Sequence, residues 1–468
     1  MLGVLGAGIA GAAGVGVAWV VARGLPPAGA GAVFVATGAF VLAGGVVKLG
    51  TQTGLVYWLA RLRAQKRTHL LGACLRIGLT PVAVAATALA VVLWFAAPAP
   101  LDTLGLFLPL AAFSDAALAA TRGYRLIGPT VRLDRILRPA MQLTAVAALA
   151  IGGVRSPMAY AVAWAAPYLP VALLAAYALR QAYESGPVPL AARRPGQKTY
   201  LALRAGFWRF TGPRAVASVA QLALQRVDVL LVAGLGGLAA AATYAVASRF
   251  VVLGQFANQG ITQSVQPRLA EALATGDRRT ANALYQTATG WLVLLTWPLH
   301  LTVNTYAPLY LGLFGDHYRH AGPIVVVLAS AMLVATGCGM VDVVLSMAGR
   351  TRWNLANVLA ALAAMVLVDL ALIPRYGALG AAIGLAVAVL LNNIVPLIQV
   401  GRAVGLHPFG PGTVAAAALA FTCFGVLPQL LVPAAGPVAA AVLCAAAYAF
   451  GAYRLRRTLA LVGLRTPR

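Results

Sequence analysis

Acidic side chains are almost missing from this chain: Asp and Glu number 10 against 35 Lys and Arg, and none precedes Asp102. Charge of either sign is scarce, at 10% of residues against 61% hydrophobic ones. That is too little polar surface to clothe a soluble globule of 468 residues, so the chain reads as an integral membrane protein. Cysteine is limited to Cys74, Cys338, Cys423 and Cys444, all inside apolar stretches and without metal-ligand spacing. A disulfide framework and a zinc site are thereby excluded, and neither metal nor cofactor is expected.

What is present begins with "VLGAGIAGAAG", residues 4–14, whose Gly6, Gly8 and Gly11 have the spacing of a dinucleotide-binding turn. Such a turn needs a strand before it and an acidic residue about 20 positions later to hold a ribose. Here five residues precede Gly6 and the first acid is Asp102, so the nucleotide reading fails. The apolar run from Met1 to Ala22 is instead long enough for a membrane helix, which needs about 20 residues. Gly8, Ala12 and Gly16 would give it a small-residue stripe for close helix packing. No cleavable signal peptide is apparent, and helix 1 is expected to be retained.

Apolar runs between charged or Pro/Gly-rich breaks predict spans at 1–22, 28–49, 70–97, 103–121, 139–154, 156–180 and 213–235. The second half predicts 238–262, 286–306, 321–347, 353–373, 378–400, 412–432 and 436–453, for 14 spans in all. With the N-terminus inside, 29 of the 35 basic residues fall in inward loops and the tail. Arg23, Arg155, Arg319 and Arg375 fall outside, and Arg226 and Arg249 lie within spans. A miscounted span would reverse every later loop, and no reversal occurs. Both termini are thus expected in the cytoplasm, and the net charge of +25 belongs to a membrane face attracted to anionic lipid, not to a nucleic-acid groove.

Slid against itself by 210 residues, the chain sets Gly24-Leu25 on Gly234-Leu235, Phe40-Val41 on Phe250-Val251 and Gly44 on Gly254. Six helices separate the copies, so the repeats are parallel. The expected fold is an all-α polytopic membrane protein with two pseudo-symmetric six-helix lobes, 1–181 and 213–401. A basic cytoplasmic linker (182–212), helices 13 and 14 (402–453) and a basic cytoplasmic tail (454–468) complete it.

Ionisable groups inside spans mark a wet cavity or a pairing. The candidates are Asp115, Arg226, Asp228, Arg249, His300, Asp342 and Asp369. On helix 7, Gln221, Gln225 and Asp228 would share a face, with Arg226 about 200° round from Asp228. On helix 8, Tyr244, Ser248, Gln255, Gln259 and Thr262 fall within roughly 60° of arc, a polar stripe. Arg249, at its edge, is either a cavity-facing anion ligand or the partner of an Asp. Asp228, Asp342 and Asp369 are either coupling-ion sites or partners for the arginines. His300 reads as a hydrogen-bonded structural histidine in preference to a proton relay.

Four stretches carry a family resemblance. "VDVLLVAGLGGLAAAATYAVASRF" (227–250), "QPRLAEALATGDRRTANALY" (266–285), "LIPRYGALGAAIG" (372–384) and "ARGLPPAGAGAVF" (22–34) resemble, in order and spacing, the lipid-linked oligosaccharide flippases. These are the polysaccharide-transporter branch of the multidrug/oligosaccharidyl-lipid/polysaccharide (MOP) exporter superfamily. One departure is Asp369, where the family commonly has Asn. The resemblance implies a transporter, not an enzyme, in which two lobes rock about a cationic cavity. It would move a lipid-pyrophosphate-linked oligosaccharide from the cytoplasmic to the outer leaflet of a bacterial inner membrane. Arg23 and Arg249 are then the foremost phosphate contacts, with Arg226 and Lys48 behind them. Tyr244, Ser248, Gln255 and Gln259 would line the cavity. Implied partners are the anionic glycan substrate, membrane lipids and a polysaccharide polymerase or glycosyltransferases, with the chain itself a monomer. Two alternatives stand: a multidrug exporter of the same superfamily, which usually stops at 12 helices, and a membrane polymerase or glycosyltransferase. The latter typically needs a large outer loop with carboxylates, whereas the longest one here, near 307–320, is about 14 residues with one Asp.

The span count has a direct check. In a background without native cysteines, Ala99→Cys should react with an impermeant maleimide from outside the cell and Ser185→Cys only after permeabilisation. Reaction of both from one side would overturn the count.

Overall fold

The structure, a computed structural model, describes residues 2–185 and 196–459. It divides into two compact units, 1–242 and 243–468. Both are helical, and no strand occurs among the described residues. Eight described helices are long and apolar enough to cross a membrane, or ten if each of two bent pairs counts as one span. All fourteen expected segments coincide with helix.

In the first unit, α1 (Leu2–Gly24) and α2 (Pro27–Val47) meet at a turn where Pro27 starts the new helix, a position at which a missing N–H is harmless. The chain continues through α3 (Thr51–Ala64), α4 (Leu71–Ala96), α5 (Leu101–Gly105) and α6 (Leu108–Gly123). A π-helical turn, Thr130–Leu137, runs directly into α7 (Arg138–Ile151), so the fifth span begins well before 139. Then follow α8 (Pro157–Ala165), α9 (Tyr168–Glu184), α10 (Gln197–Leu224) and α11 (Val227–Gly236). The helix α12 (Leu238–Ala247) carries the chain into the second unit, which holds α13 (Arg249–Ala274), α14 (Arg278–Thr305), α15 (Ala307–Phe314), α16 (Gly322–Gly337) and α17 (Val341–Met347). It ends with α18 (Thr351–Tyr376), α19 (Ala378–Ala403), α20 (Pro411–Ala420) and α21 (Leu427–Arg454). Gly436, at φ 78°, breaks α21 where the last two spans were expected to separate.

The division at 242 lies well past the expected linker, 182–212. Residues 186–195 fall outside the described part, but 197–212 are the first half of α10, which joins the first unit. Leu203, Phe207 and Thr211, spaced four apart, turn one buried face toward α3. Phe207 joins a core with Leu55, Leu59, Leu62, Cys74 and Ile77. Tyr57 stacks on Phe210 with centroids 4.0 Å apart. The 210-residue repeat is visible in the element ends: α3 and α13 stop at Ala64 and Ala274, and the next helical segments start at Thr68 and Arg278.

Small residues set the close contacts, though not all of those expected. Gly8 and Ala12 of α1 are exposed, and the face that packs carries Gly6 against Val131 and Arg135 and Gly16 against Leu143. In the second unit a Cβ on Gly384 would overlap the Asp369 carboxylate, and one on Gly380 the backbone at Leu372. All four cysteines are buried and free. Large apolar side chains face outward instead, among them Phe95 and Ile151. The protein is a multi-pass membrane protein, with hydrocarbon as the solvent for those faces.

Candidate functional site

The first unit concentrates its charge where α2, α6, α7 and α9 converge. Lys48 caps α2; Leu49 (φ 50°) and Gly50 (φ 68°) then turn the chain through the left-handed region. Gly50 is required twice over there, since a Cβ would also strike the backbone of Ala215. Thr51 fixes the turn by donating its hydroxyl to the Lys48 carbonyl at 2.7 Å. So held, the Lys48 ammonium donates to the Asp115 carboxylate at 2.7 Å. One helix away, Arg138 donates through Nη2 to Asp134 at 2.6 Å and through Nη1 to the Tyr168 hydroxyl at 3.1 Å. Tyr168 is backed by Phe40 and Trp164, at centroid distances of 5.6 and 6.0 Å. Gln142 ties the wall to α7 by donating to the Trp164 carbonyl at 2.9 Å.

The sequence shows this network only in part. Asp115 and Lys48 stand out in it, whereas Asp134, Arg138 and Tyr168 do not, because the density of basic residues over 122–138 reads as an inward loop. The available signal was the Asp134-x-x-x-Arg138 spacing, which pairs charges on one helical face.

Straight-helix geometry misplaces several of the other candidates, because the helices that carry them are broken. α10 and α11 meet at 47°, and α12 and α13 at 43°. Arg226 sits at the first break as the cap of α11 and feels the charge of Asp228, so the spacing along one straight helix does not describe the two. Asp228 is buried while Gln221 and Gln225 are exposed, so those three do not share a face. At the second break the expected stripe divides. Tyr244 is fully buried, which removes it from a ligand-facing role in this conformation, whereas Gln255 and Gln259 are exposed. Ser248 is half-buried and donates to the Ala245 carbonyl at 3.4 Å.

Arg249 opens α13 immediately after this bend, with Tyr310 of α15 in its electrostatic field. The Tyr310 hydroxyl donates to the Val246 carbonyl at 2.9 Å. In an unbroken helix that carbonyl would accept from the Phe250 N–H, so Tyr310 satisfies the acceptor that the bend leaves over. His300 of α14 is buried with its ring edge-on to Phe250, at 5.8 Å, and against Gly254. Neither ring nitrogen has a hydrogen-bond partner among the described residues, contrary to the expected hydrogen-bonded histidine.

The remaining carboxylates differ in setting. Asp342 is exposed at the start of α17, where the Asn354 side chain donates to its backbone carbonyl at 2.6 Å. Asp369 is fully buried against Gly384 in the α18–α19 pair. Arg23 ends α1 with its guanidinium 6.0 Å from the Trp19 ring centroid and is exposed. Thus Arg23, Lys48, Arg226 and Asp228 belong to the first unit, and Arg249, Ser248, Gln255, Gln259, Asp342 and Asp369 to the second. No cluster of three potential metal ligands occurs among the described residues.

With this geometry in hand, comparison with known proteins identifies the fold. Residues 213–373 match the MatE family. Among solved structures, the lipid II flippase MurJ in an inward closed conformation is similar with a TM-score of 0.71 at 10% identity, over 97% of this chain and 99% of that one. An inward-facing multidrug resistance MATE family transporter of the MOP superfamily is similar with a TM-score of 0.68 at 14% identity, over 87% and 94%. A eukaryotic MATE transporter gives 0.56 at 17%, over 90% and 97%. A search of curated proteins finds no match. The fold is that of the MOP-superfamily transporters.

The Lys48–Asp115 pair supplies a test of the network. The two side chains keep 21% and 24% of their exposure, so stranding either charge should cost about 1–3 kcal/mol, less than a fully buried pair. Asp115→Asn should lower the melting temperature in detergent by several degrees. The double replacement Lys48→Met with Asp115→Leu should cost clearly less than the two single changes added together. Strict additivity would show that the pair is not coupled.

Proposed function

We propose that this chain is a transporter that moves a lipid-pyrophosphate-linked oligosaccharide, a precursor of cell-surface polysaccharide, from the cytoplasmic to the outer leaflet by alternating access. The observation that carries the reading is the sign of the charge that the apolar helices keep. Arg226 and Arg249 stand at breaks within apolar spans, and Lys48 and Arg138 at helix ends. The carboxylates Asp115 and Asp134 are already held by bases. Such an interior suits an anionic pyrophosphate better than an organic cation. The likeness to a lipid II flippase over 97% of the chain, last two helices included, supports the same reading.

Arg249 and Arg23 are the proposed phosphate contacts, with Arg226 and Lys48 as auxiliaries. Gln255, Gln259 and Ser248 offer hydrogen bonds to the glycan. For a coupling ion, Asp228 and Asp369 are buried carboxylates and Asp342 an exposed one. The chain would act as a monomer in the bacterial cytoplasmic membrane, with both termini inside, supplied and drained by glycosyltransferases and a polymerase.

A multidrug exporter is the second reading, favoured by the MatE match over 213–373 and the likeness to MATE structures. A polymerase or glycosyltransferase has less support. The one Asp in the segment 307–320, Asp316, is paired with Arg319 at 2.9 Å, and no second carboxylate stands beside it there.

In the native host, Arg249→Ala should abolish surface glycan, accumulate its lipid-linked precursor and leave the protein inserted at normal level. Deletion of the gene should leave susceptibility to cationic drugs unchanged. Intact surface glycan with increased drug sensitivity would establish the exporter instead.

A further inference from the structure

Gln221 and Gln225 have no role in the contacts described so far, yet both stand exposed on either side of Leu224, the middle residue of the expected span 213–235. Ser218 and Arg214, on the turns before them, are exposed as well. At 100° per residue the four fall within roughly 60° of arc, on the last turns of α10 before its bend. They form one polar face. The α2 helix borders it, since a Cβ on Gly50 would strike Ala215 and one on Gly45 would overlap Leu222. Val216, about 200° round from Arg214, is 54% exposed and gives the helix a separate apolar face suited to hydrocarbon.

Carboxamides exposed in the middle of a span are unfavourable against lipid and mark a wet cleft. The side chains of Ser218, Gln221 and Gln225 make no hydrogen bond among the described residues, so their donors and acceptors are open. The fold does not require them: at the 210-residue offset the corresponding positions of α1 are Val4, Gly8, Gly11 and Val15.

The make-up of the face selects the ligand. No Asp or Glu occurs in α10, which leaves an organic cation without a counter-charge there. Arg214, the one cation of the face, is drawn back onto Phe210, 3.8 Å from the ring centroid, and donates to the Phe210 carbonyl at 2.8 Å. It lies two turns from Gln221, so the amides have no cation of the face beside them to hold an anion. An apolar ligand would leave the amides unpaired. An uncharged sugar presents donors and acceptors around its ring, and each carboxamide answers with one acceptor oxygen and two N–H donors. Gln221 and Gln225 lie one turn apart, about 5–6 Å between Cβ atoms, so one ring reaches both.

We propose that Ser218, Gln221 and Gln225 form a binding track for an uncharged sugar within the first unit. Arg226, the auxiliary phosphate contact, follows Gln225 directly, so a sugar joined to that phosphate lies along the amides. The track rests on the transport reading for making this sugar part of the cargo, and it adds the class of sugar carried next to the pyrophosphate, neutral and not acidic.

Thiol protection tests it. In the full chain without native cysteines, in phosphatidylcholine nanodiscs, Ser218→Cys should react with a charged methanethiosulfonate at least tenfold faster than Val216→Cys. A short-chain lipid pyrophosphate bearing N-acetylglucosamine or galactose should slow the Ser218→Cys reaction at least fivefold. The sugar-free lipid pyrophosphate should not, and one bearing glucuronic acid should protect less. Gln221→Leu, with folding checked by its melting temperature, should remove the protection, and Gln221→Asn should keep part of it. Equal rates at the two cysteines would show the face to be dry or covered by a second copy and would overturn the track. So would protection by ethidium and not by either neutral sugar, protection by the sugar-free lipid, equal protection by glucuronic acid, no protection, or protection that survives Gln221→Leu. Surface glycan intact after gene deletion, with Ser218→Cys still protected by the neutral sugars, would keep the track and lose the transport reading. Loss of surface glycan with Ser218→Cys unprotected would do the reverse.

Discussion

A charge removed from water inside a helical bundle must be met by another charge, and in this protein that requirement organises the first unit. Asp115 lies in mid-helix among alanines, where it is tolerable only because Lys48 reaches it. Lys48 reaches it because α2 ends there, and α2 ends there because Leu49 and Gly50 adopt left-handed backbone. The same turn brings α3 out at the angle at which Leu55 and Leu59 pack with Phe207 of α10. One ion pair, one turn and one apolar seam therefore depend on each other, and weakening any of them loosens the platform that holds Arg138 and Tyr168.

Breaks in the helices do the corresponding work for the arginines. A continuous membrane helix satisfies its backbone internally and offers a ligand only side chains. At the bends after α10 and α12 that rule is relaxed, and it is there that Arg226 and Arg249 stand. Tyr310 stabilises the second bend by donating to the Val246 carbonyl that the bend releases.

Most of the architecture was legible because hydrocarbon leaves so few options. The 210-residue offset and the fourteen apolar runs were read from sequence, and the runs all fell on helix. The site is less legible, first because facing at 100° per residue holds only along an unbroken helix. That arithmetic fails at Arg226 and Ser248, where backbone bends of more than 40° rotate everything downstream. It put Tyr244 on the same stripe as Gln255, although the first is buried and the second exposed. The stretch 122–138 reads as loop because a run of arginines looks identical whether it lies on a cytoplasmic loop or on the inner turns of a helix. Only the Asp134–Arg138 spacing distinguished the two. Asp369 was recognised as unusual, but its burial against Gly384 depends on helix pairing that a single sequence does not reveal.

The central claim is that the basic groups at the helix ends and breaks serve to move a phosphate-linked glycolipid between leaflets. Reconstitution tests it most directly. The purified chain is placed in liposomes carrying a short-chain fluorescent lipid-pyrophosphate sugar, and the label in the leaflet facing the medium is bleached with dithionite at intervals. The account predicts that the protein makes the inner-leaflet pool accessible within minutes, and that Arg249→Ala liposomes remain at the rate of empty ones. Equal rates with and without the wild-type protein, together with uptake of a cationic dye by the same liposomes, would contradict it.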